Sequence, residues 1–268
     1  MLSSRYLIFH LKISLPHPLK NLLGKAMATE TSNKSQGIDL GGMRKPYNEK
    51  HNTFTEDSLV AKEPIKQFQS WFDVACQTPN ILEANAMCLS TASKTGKPSA
   101  RYVLLKGFDK EGFRFFTNYS SRKGIELEEN PFAALTFYWE PLLKSVRIEG
   151  AVKKLPAEAS DEYFQSRPRS SQIGALLSSQ SQAISSRQVL VDDEEKLTKE
   201  YADEKNPIPR PDKWGGYVVI PEVIEFWQGQ STRIHDRIRF RRPASSEEPD
   251  GVLTHQGDEG WIYERLAP

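Results

Sequence analysis

The sequence predicts a mainly β protein of the α+β class, built as an antiparallel barrel with helices packed around its outside. From residue 86 onward, short segments rich in β-branched and aromatic residues alternate with turn-forming residues, which is typical of antiparallel strands. Helical patterns are fewer and interrupt the strands one at a time. Hydrophobic residues make up 38% of the 268 residues and charged residues 26%, as in an ordinary globular protein.

The N-terminal residues differ in composition from the rest of the chain. They contain no acidic residue before Glu30, while basic residues are spread among Leu, Ile and Phe. Lys12 and Pro16 interrupt the apolar character too early for a membrane span, so no membrane contact is expected. We interpret residues 1–42 as a disordered extension of a cytoplasmic protein, with a mitochondrial targeting segment as the alternative. Residues 43–268 are then expected to form the main domain.

Helices and strands are assigned in chain order from periodicity and turn signals. A first helix is predicted at residues 64–75, because Pro64 suits its first turn and Ile65, Phe68 and Phe72 repeat at helical spacing. Strands are predicted at residues 86–92, 100–108, 113–118, 132–139, 145–152, 217–220, 223–228, 237–241 and 260–265. Further helices are predicted at residues 121–129, 156–167 and 187–204.

Charge and cysteine content exclude several classes of function. The formal net charge is +1, which argues against a protein that coats nucleic acid, although Arg237, Arg239 and Arg241 alternate on one predicted strand. Cys76 and Cys88 both stand beside apolar residues and support neither a disulfide scaffold nor a zinc site, so no metal is expected. The sequence has no GxGxxG loop, Walker A loop or GxSxG elbow. A cofactor held by dispersed side chains would leave no compact motif.

The predicted helix at residues 121–129 has its charges reversed relative to the helix dipole. Arg122 and Lys123 stand at its positive amino end, and Glu128 and Glu129 stand at its negative carboxyl end. A phosphate bound at the amino end would make this arrangement favourable, because the helix amides and both cations would face it. The alternative is an exposed helix that tolerates the charges.

Two further sets of polar residues suit anion binding. Arg101 and Lys106 are five residues apart, so on a regular strand they face opposite sides and could serve two anions, or they could simply reach into water from the strand ends. Tyr163 and Arg167 share a helix face, and Ser171 could cap the next helix. Together these three could clamp a phosphate, and a stacked Tyr–Arg pair with a routine cap is the alternative.

The densest polar segment is residues 225–237, which read Glu-Phe-Trp-Gln-Gly-Gln-Ser-Thr-Arg-Ile-His-Asp-Arg. Arg233 and His235 are two apart, so in an extended conformation both side chains lie on the same face. A guanidinium beside an imidazole suits a planar, anionic ligand, and a solvated edge strand is the alternative.

This segment resembles the C-terminal signature of the pyridoxine/pyridoxamine 5′-phosphate oxidase family. The resemblance runs from about residue 42 to the C-terminus, with several independent segments in the same order. It implies an FMN-binding split β-barrel with peripheral helices that forms a homodimer, with the flavin at the interface. The implied reaction is oxidation of pyridoxine 5′-phosphate or pyridoxamine 5′-phosphate to pyridoxal 5′-phosphate. Oxygen would be the acceptor and yield hydrogen peroxide, and the amine would also release ammonia.

The resemblance also implies roles for individual residues. Arg233 and His235 would orient the reacting carbon. The expected FMN contacts are Arg101, Tyr102, Val103, Leu104, Phe116, Thr117, Arg122, Lys123, Gln180, Ser181, Trp227 and Arg237. The expected substrate contacts are Lys106, Tyr163, Arg167, Ser171, Arg233, Ile234 and His235, together with an N-terminal lid of Arg44, Tyr47, Asn48, Glu49, Lys50 and His51.

One position departs from the family pattern. Ser145 stands where the family usually has a Gln that contacts the flavin, so we expect a lost or water-bridged contact there. A non-catalytic carrier of pyridoxal phosphate is one alternative function, and Ser145 is the feature that favours it. Another split-barrel flavin enzyme is the second alternative, and it would not need Lys106, Tyr163, Arg167 and Ser171 together.

Overall fold

The structure is a computed structural model, and it describes Leu40, Gly42, Met43, Tyr47 and residues 53–268. The chain divides into two units, Met1–Arg44 and Lys45–Pro268. In the described part of the first unit, the Met43 amide donates a hydrogen bond to the Leu40 carbonyl oxygen at 3.0 Å. The predicted boundary between residues 42 and 43 stays a prediction.

The second unit contains ten strands and five α-helices within its described residues. The strands are β1 (Ala86–Ala92), β2 (Pro98–Leu104), β3 (Gly107–Asp109), β4 (Gly112–Asn118), β5 (Phe132–Trp139), β6 (Lys144–Lys154), β7 (Trp214–Gln228), β8 (Asp236–Arg241), β9 (His255–Gln256) and β10 (Ile262–Arg265). The helices are α1 (Pro64–Gln77), α2 (Arg122–Glu129), α3 (Ala157–Ser166), α4 (Arg169–Leu177) and α5 (Arg187–Glu200).

The mainly antiparallel α+β prediction is confirmed, with differences at a few strand boundaries. The strand predicted at residues 100–108 is divided between β2 and β3, because the chain leaves the ladder at Lys106, whose amide donates to the Arg114 carbonyl oxygen at 2.8 Å. The strands predicted at 217–220 and 223–228 are one strand, β7, which continues through Pro221. The two-residue strand β9 was missed because so short a segment has no measurable periodicity.

The sheet follows the order β2-β1-β5-β6-β7-β8-β10-β9, and β4 pairs with both β3 and β7. β7 is the central strand: its first part pairs with β4, its last part pairs with β8, and β6 runs along most of its length. A register shift between Glu149 and Gly150 bends the β6–β7 pair. The bend and the twist bring β2 close to β4, so the sheet curls into a barrel with a seam between these two strands.

Aromatic side chains fill the inside of the barrel. Phe68 of α1 is fully buried and packs edge-on against Phe108 and Phe113, with ring centroids 4.9 and 5.0 Å away. A smaller cluster around Phe164 and Trp214 fixes α3 and α4 outside the barrel. The predicted helical stripe on α1 is therefore core packing, and α3 and α4 are held at a defined place beside β4 and β7.

Among the helices in the described part of the chain, none combines the length and the apolar character that a membrane crossing requires.

Candidate active site

A cavity of about 470 Å³ opens beside β2, β4 and the α3–α4 connection. Among its lining residues, four are cationic and none is a carboxylate, and twelve of the fourteen are residues that the sequence predicted for a site. The lining residues are Arg101, Tyr102, Val103, Leu104, Lys106, Phe116, Thr117, Lys123, Tyr163, Arg167, Pro168, Ser171, Gln180 and Trp214. We call this the cationic cavity.

Lys123 lies at the amino end of α2, which Ser121 caps by accepting a hydrogen bond from the Gly124 amide. Its ammonium donates to the side-chain oxygens of Gln180 at 2.6 Å and Thr117 at 3.1 Å. Burial, and then the charge of Arg101, lower the pKa of Lys123 to about 8. A buried cation held by neutral oxygens at a helix amino end is suited to an anionic ligand.

Arg101 and Arg122 are both held by one buried carboxylate, that of Glu126. Arg122 donates to one oxygen of Glu126 at 2.9 Å, and Arg101 lies 3.4 Å from the other. Burial opposes ionisation of Glu126, but hydrogen bonds from Ser99 and Thr91 and the contact with Arg122 outweigh it and lower its pKa to about 2. Arg101 lines the cationic cavity, whereas Arg122 does not, and the Arg122 side chain is 56% exposed.

Arg101 and Lys106 do not stand on one regular strand, as the prediction of opposite faces assumed. Both residues line the cationic cavity, and Lys106 also lines a separate cavity of about 410 Å³ beside α1 and β3. The alternation argument fails because Lys106 follows the end of β2 and no longer obeys the strand period.

The residues predicted for a phosphate clamp line one cavity, but their local geometry differs from the prediction. Arg167 is not on a helix face with Tyr163: it follows α3 with an extended backbone, as expected for a residue before proline. Its guanidinium lies 4.8 Å from the ring of Trp214, and Nη1 is buried without a hydrogen-bond partner among the described residues. Ser171 does not cap α4, since Pro168 holds that position. Tyr163 stacks on Phe116, with ring centroids 4.0 Å apart.

A second cavity, of about 450 Å³, lies on the other half of the sheet and contains three more predicted residues, Ser145, Trp227 and Arg237. It shares no lining residue with the cationic cavity. The buried carboxylate of Glu225 at its wall accepts from Arg237 at 2.7 Å and Arg147 at 2.6 Å. Burial raises the pKa of Glu225, but these arginines outweigh burial and hold the pKa below its usual range. We call this the Trp227 cavity.

The turn between β7 and β8 carries Arg233 and His235 beside Trp227. The segment does not run extended, as the same-face prediction assumed, because Arg233 has a φ of +66° and the chain turns there. The His235 ring lies 5.0 Å from the Trp227 ring, and its Nδ1 accepts a hydrogen bond from the Gln230 amide at 3.0 Å. Burial, and then Arg233, lower the pKa of His235 against the opposite effect of Asp236.

The remaining predicted residues are not among the lining residues of the two cavities. Tyr47 lies beside the turn, with its ring 5.9 Å from that of His235. Ile234 is 70% exposed, and Ser181 is exposed with a φ of +72°. The other predicted lid residues lie outside the described residues, and they are Arg44, Asn48, Glu49, Lys50 and His51.

Sequence reasoning missed several residues at the two cavities. Trp214 supplies the face on which Arg167 stacks, and its position before Gly215 and Gly216 was the available signal for a closely packed strand. Glu126 and Glu225 each pair with two arginines. The pairing of Glu126 with Arg122 could have been expected, because the two residues are four positions apart on a predicted helix. The other missed lining residues are Thr136, Tyr138, Arg147, Pro168 and Pro268.

The arginines that suggested a nucleic-acid track are engaged in ion pairs. Arg239 and Arg241 both pair with Glu264, and Arg241 also pairs with Glu247. These charges are therefore compensated within the protein.

Family profiles match two segments of the chain. Residues 77–199 match the profile described as pyridoxamine 5′-phosphate oxidase, and residues 214–268 match the one described as the pyridoxine 5′-phosphate oxidase C-terminal dimerisation region. The second segment contains Trp214, Trp227, Arg233 and His235. The matched segments thus cover both cavities and the turn between β7 and β8.

Whole-chain comparisons agree with these matches. The chain is 55% identical to a pyridoxine-5′-phosphate oxidase of Bos taurus over 88% of its length and 90% of that protein, and 54% identical to a pyridoxine/pyridoxamine 5′-phosphate oxidase of Bombyx mori over 88% and 91%. Among solved structures, it resembles PhzG of Burkholderia lata in complex with tetrahydrophenazine-1-carboxylic acid, with a TM-score of 0.69 and 27% identity over 80% of this chain and 97% of that one. The chain therefore belongs to the pyridoxamine 5′-phosphate oxidase family.

Proposed function

We propose that this chain is an FMN-dependent oxidase that forms pyridoxal 5′-phosphate in vitamin B6 metabolism. Pyridoxine 5′-phosphate and oxygen would give the aldehyde and hydrogen peroxide; pyridoxamine 5′-phosphate would additionally consume water and release ammonia. The observation that carries this proposal is the cationic cavity, where four cations and no carboxylate line a space of about 470 Å³. Relatives at 55% and 54% identity bear the names of this oxidase.

The donors of the cationic cavity fit two phosphate groups. Lys123, at the amino end of α2, suits the FMN phosphate, with Thr117 and Gln180 beside it and the charge of Arg101 reaching it from β2. Arg122 would reach the same phosphate from outside the lining, after turning from Glu126. We infer that Tyr102, Val103, Leu104 and Phe116 lie along the rest of the cofactor, with Ser181 at its edge.

The second phosphate group would belong to the substrate. The unpartnered Nη1 of Arg167 is a buried donor that a phosphate oxygen can satisfy, and its Trp214 contact fixes the guanidinium plane. Lys106, Tyr163 and Ser171 line the same space and supply the remaining donors. The clamp would place the pyridine ring at a fixed distance from the bound cofactor.

Arg233 and His235 would act on the pyridine ring. FMN, when bound, supplies the hydride acceptor and the reaction with oxygen. His235 accepts the Gln230 amide at Nδ1, so its neutral ring carries the proton on Nε2 and presents a donor to the substrate. Arg233 would add a positive charge over the ring, and Tyr47 would cover it with Ile234 and the other lid residues. Ser145, Trp227 and Arg237 would meet the flavin from the Trp227 cavity.

We propose that one site is built from two subunits of a homodimer. The cationic cavity and the Trp227 cavity share no lining residue, and residues 214–268 match a dimerisation region. A two-fold dimer would bring the cationic cavity of one subunit against the Trp227 cavity of its partner.

The proposed reaction can be tested by adding pyridoxine 5′-phosphate anaerobically to the FMN-loaded protein. Loss of the flavin's visible absorbance, reversed by air with formation of hydrogen peroxide, is the expected result. A yellow protein that does not bleach would contradict the reaction, and a colourless protein that binds pyridoxal phosphate would favour the carrier alternative. Unphosphorylated pyridoxine is the matched control, because it lacks the group that the clamp would hold.

We also propose a cytoplasmic location. The acid-free residues before Glu30 are the segment to examine, by fusing residues 1–42 to a fluorescent protein. Import of the fusion into mitochondria would overturn the proposal.

A further inference from the structure

A buried carboxylate, that of Asp236, joins three segments that are far apart in the sequence. Asp236 begins β8 and is 8% exposed. One oxygen accepts from the Phe54 amide at 3.0 Å and from the Gln230 side-chain amide at 2.8 Å, and the other pairs with Arg265 at 3.1 Å. The N-terminal segment, the β7–β8 turn and the C-terminal strand therefore meet at one residue. We call this contact the Asp236 junction.

The Asp236 junction fixes the chain immediately after the predicted lid. Phe54 is 3% exposed and packs against Trp71, with ring centroids 4.8 Å apart. Its carbonyl oxygen accepts from Arg265 at 3.1 Å, so the backbone of Phe54 is held on both sides. Tyr47, a few residues earlier, lies against the His235 ring. Phe54 and Tyr47 thus contact two neighbouring residues, Asp236 and His235.

The junction also reaches His235 through Gln230. Gln230 is 4% exposed: its side chain donates to Asp236, and its backbone amide donates to His235 Nδ1 at 3.0 Å. A ring nitrogen that accepts a hydrogen bond carries no proton, so the amide selects the tautomer with hydrogen on Nε2. If the Gln230 side chain rotated away from Asp236, the β7–β8 turn would no longer be fixed. The Gln230 backbone amide would then no longer select the Nε2–H tautomer of His235.

We infer that Asp236 is a positioning residue that, through Gln230, holds His235 as an Nε2–H donor. The inference rests on the proposed function, since it assigns His235 to the substrate. Asp236 itself does not touch the substrate. It acts by holding the Nε2–H donor in place before the substrate arrives.

Asp236 also contributes charge at the turn. Among the described residues, the charged and titratable groups facing His235 are Arg233 on the turn, Asp236 at the start of β8 and Tyr47 from the N-terminal segment. The Asp236 carboxylate raises the pKa of His235, and Arg233 lowers it. An uncharged replacement at 236 therefore moves the protonation of His235 to lower pH.

Three variants of the FMN-loaded protein test the inference. Asp236→Asn removes the charge, Gln230→Met removes the side-chain amide that donates to Asp236, and Glu264→Gln is the control because it breaks ion pairs with Arg239 and Arg241 further along β8. We expect kcat to fall about tenfold in the first two variants, as when the outer partner of a functional histidine is lost. The FMN dissociation constant should stay unchanged in both. The acidic limb of the kcat profile should move to lower pH in Asp236→Asn and stay in place in Gln230→Met.

Nitrogen-15 NMR of the histidine side chains provides a readout that does not depend on turnover. Wild-type His235, assigned with His235→Asn, should show the Nε2–H tautomer, and Asp236→Asn and Gln230→Met should show a mixture. An unchanged tautomer and unchanged kcat in both variants would overturn the inference, as would an equal loss in Glu264→Gln. If the wild type shows the Nε2–H tautomer but does not oxidise the substrate, the proposed function fails while the positioning of His235 stands.

Discussion

The ammonium group of Lys123 lies 2.6 Å from the side-chain oxygen of Gln180, although 57 positions separate the two residues. Hydroxyl groups of Thr117 and Ser121, at 3.1 and 3.2 Å, are its other partners. All three partners are neutral, so the charge of Lys123 stays available to an incoming anion. Burial of this charge, with Arg101 nearby, explains the lowered pKa of about 8.

FMN binding should weaken as the pH rises through about 8. A protonated Lys123 attracts the phosphate, and its protonated fraction in the free protein falls about tenfold per pH unit above its pKa. FMN fluorescence quenching, titrated between about pH 6.5 and 9.5, measures the dissociation constant. Lys123→Arg should remove this dependence, because a guanidinium stays charged. Riboflavin, which lacks the phosphate, is the control ligand, and an equal pH effect on riboflavin would contradict the prediction.

Arg167→Met should raise the KM for pyridoxine 5′-phosphate about 10- to 100-fold and leave FMN affinity unchanged. The substitution removes the unpartnered Nη1 and the Trp214 contact, and charge-assisted hydrogen bonds are worth about 1.5–3 kcal/mol. The KM of Arg167→Lys should lie between those of the wild type and Arg167→Met, since lysine keeps the charge without the planar fork. Arg169→Met is the matched control, because Arg169 donates to the Tyr201 carbonyl oxygen outside the cavity.

Arg233→Ala should lower kcat/KM about 100-fold with little effect on the melting temperature. Its side chain is exposed, and its role is proposed at the substrate rather than in the core. Arg233→Gly should lose the same activity but gain about 1 kcal/mol of stability, because Arg233 has a φ of +66° and glycine adopts this conformation without strain. Steady-state kinetics and thermal unfolding check both statements, and full activity of either variant at low substrate would refute the role.

Ser145→Gln should tighten FMN binding about fivefold. The Ser145 hydroxyl donates to the Phe137 carbonyl oxygen at 2.8 Å, so it is engaged within the sheet and not directed to a ligand. A glutamine amide would extend into the Trp227 cavity and add one hydrogen bond of about 1 kcal/mol. The flavin midpoint potential should shift at the same time. Unchanged affinity and potential would mean that position 145 does not reach the cofactor, and Ser145→Ala serves as the control for loss of the hydroxyl alone.

Gly124→Ala should destabilise the protein and FMN binding together. A Cβ at this position would lie 2.2 Å from the Tyr119 carbonyl oxygen, so the first turn of α2 would have to move. Overpacking of this kind costs about 1–3 kcal/mol, and the shift would displace Lys123. Denaturant unfolding and FMN titration measure the two effects. Gly174→Ala is the control, since a Cβ there meets nothing within 4 Å.

Most elements of the fold could be predicted because their signals are local. The strand at Ala86–Ala92 and the α1 helix follow from side-chain periodicity. The end of β2 could not be predicted, because Leu105 and Lys106 leave the ladder through contacts with Asn85 and Arg114, which are distant in sequence.

Twelve residues that were predicted for a site line the cationic cavity, but the local geometry assumed for several of them was not regular. Spacing arguments assumed regular elements at Arg101–Lys106, Tyr163–Arg167 and Arg233–His235, and all three sites lie where an element ends or turns. Ligand-binding side chains are frequent where an element ends or turns. A chain that leaves a regular strand or helix there can direct neighbouring side chains into the same cavity. The resemblance to the oxidase family singled out these residues, whereas the periods of 2 and 3.6 did not describe their geometry.

The separate linings of the two cavities have a genetic consequence. If each site is formed by one cavity from each subunit, a substitution at Arg167 and a substitution at Arg233 inactivate parts of the same site that come from different subunits. A mixed dimer then holds one site with both defects and one with none. Random association would make half of the dimers mixed, so two inactive alleles expressed together should restore about a quarter of the wild-type sites.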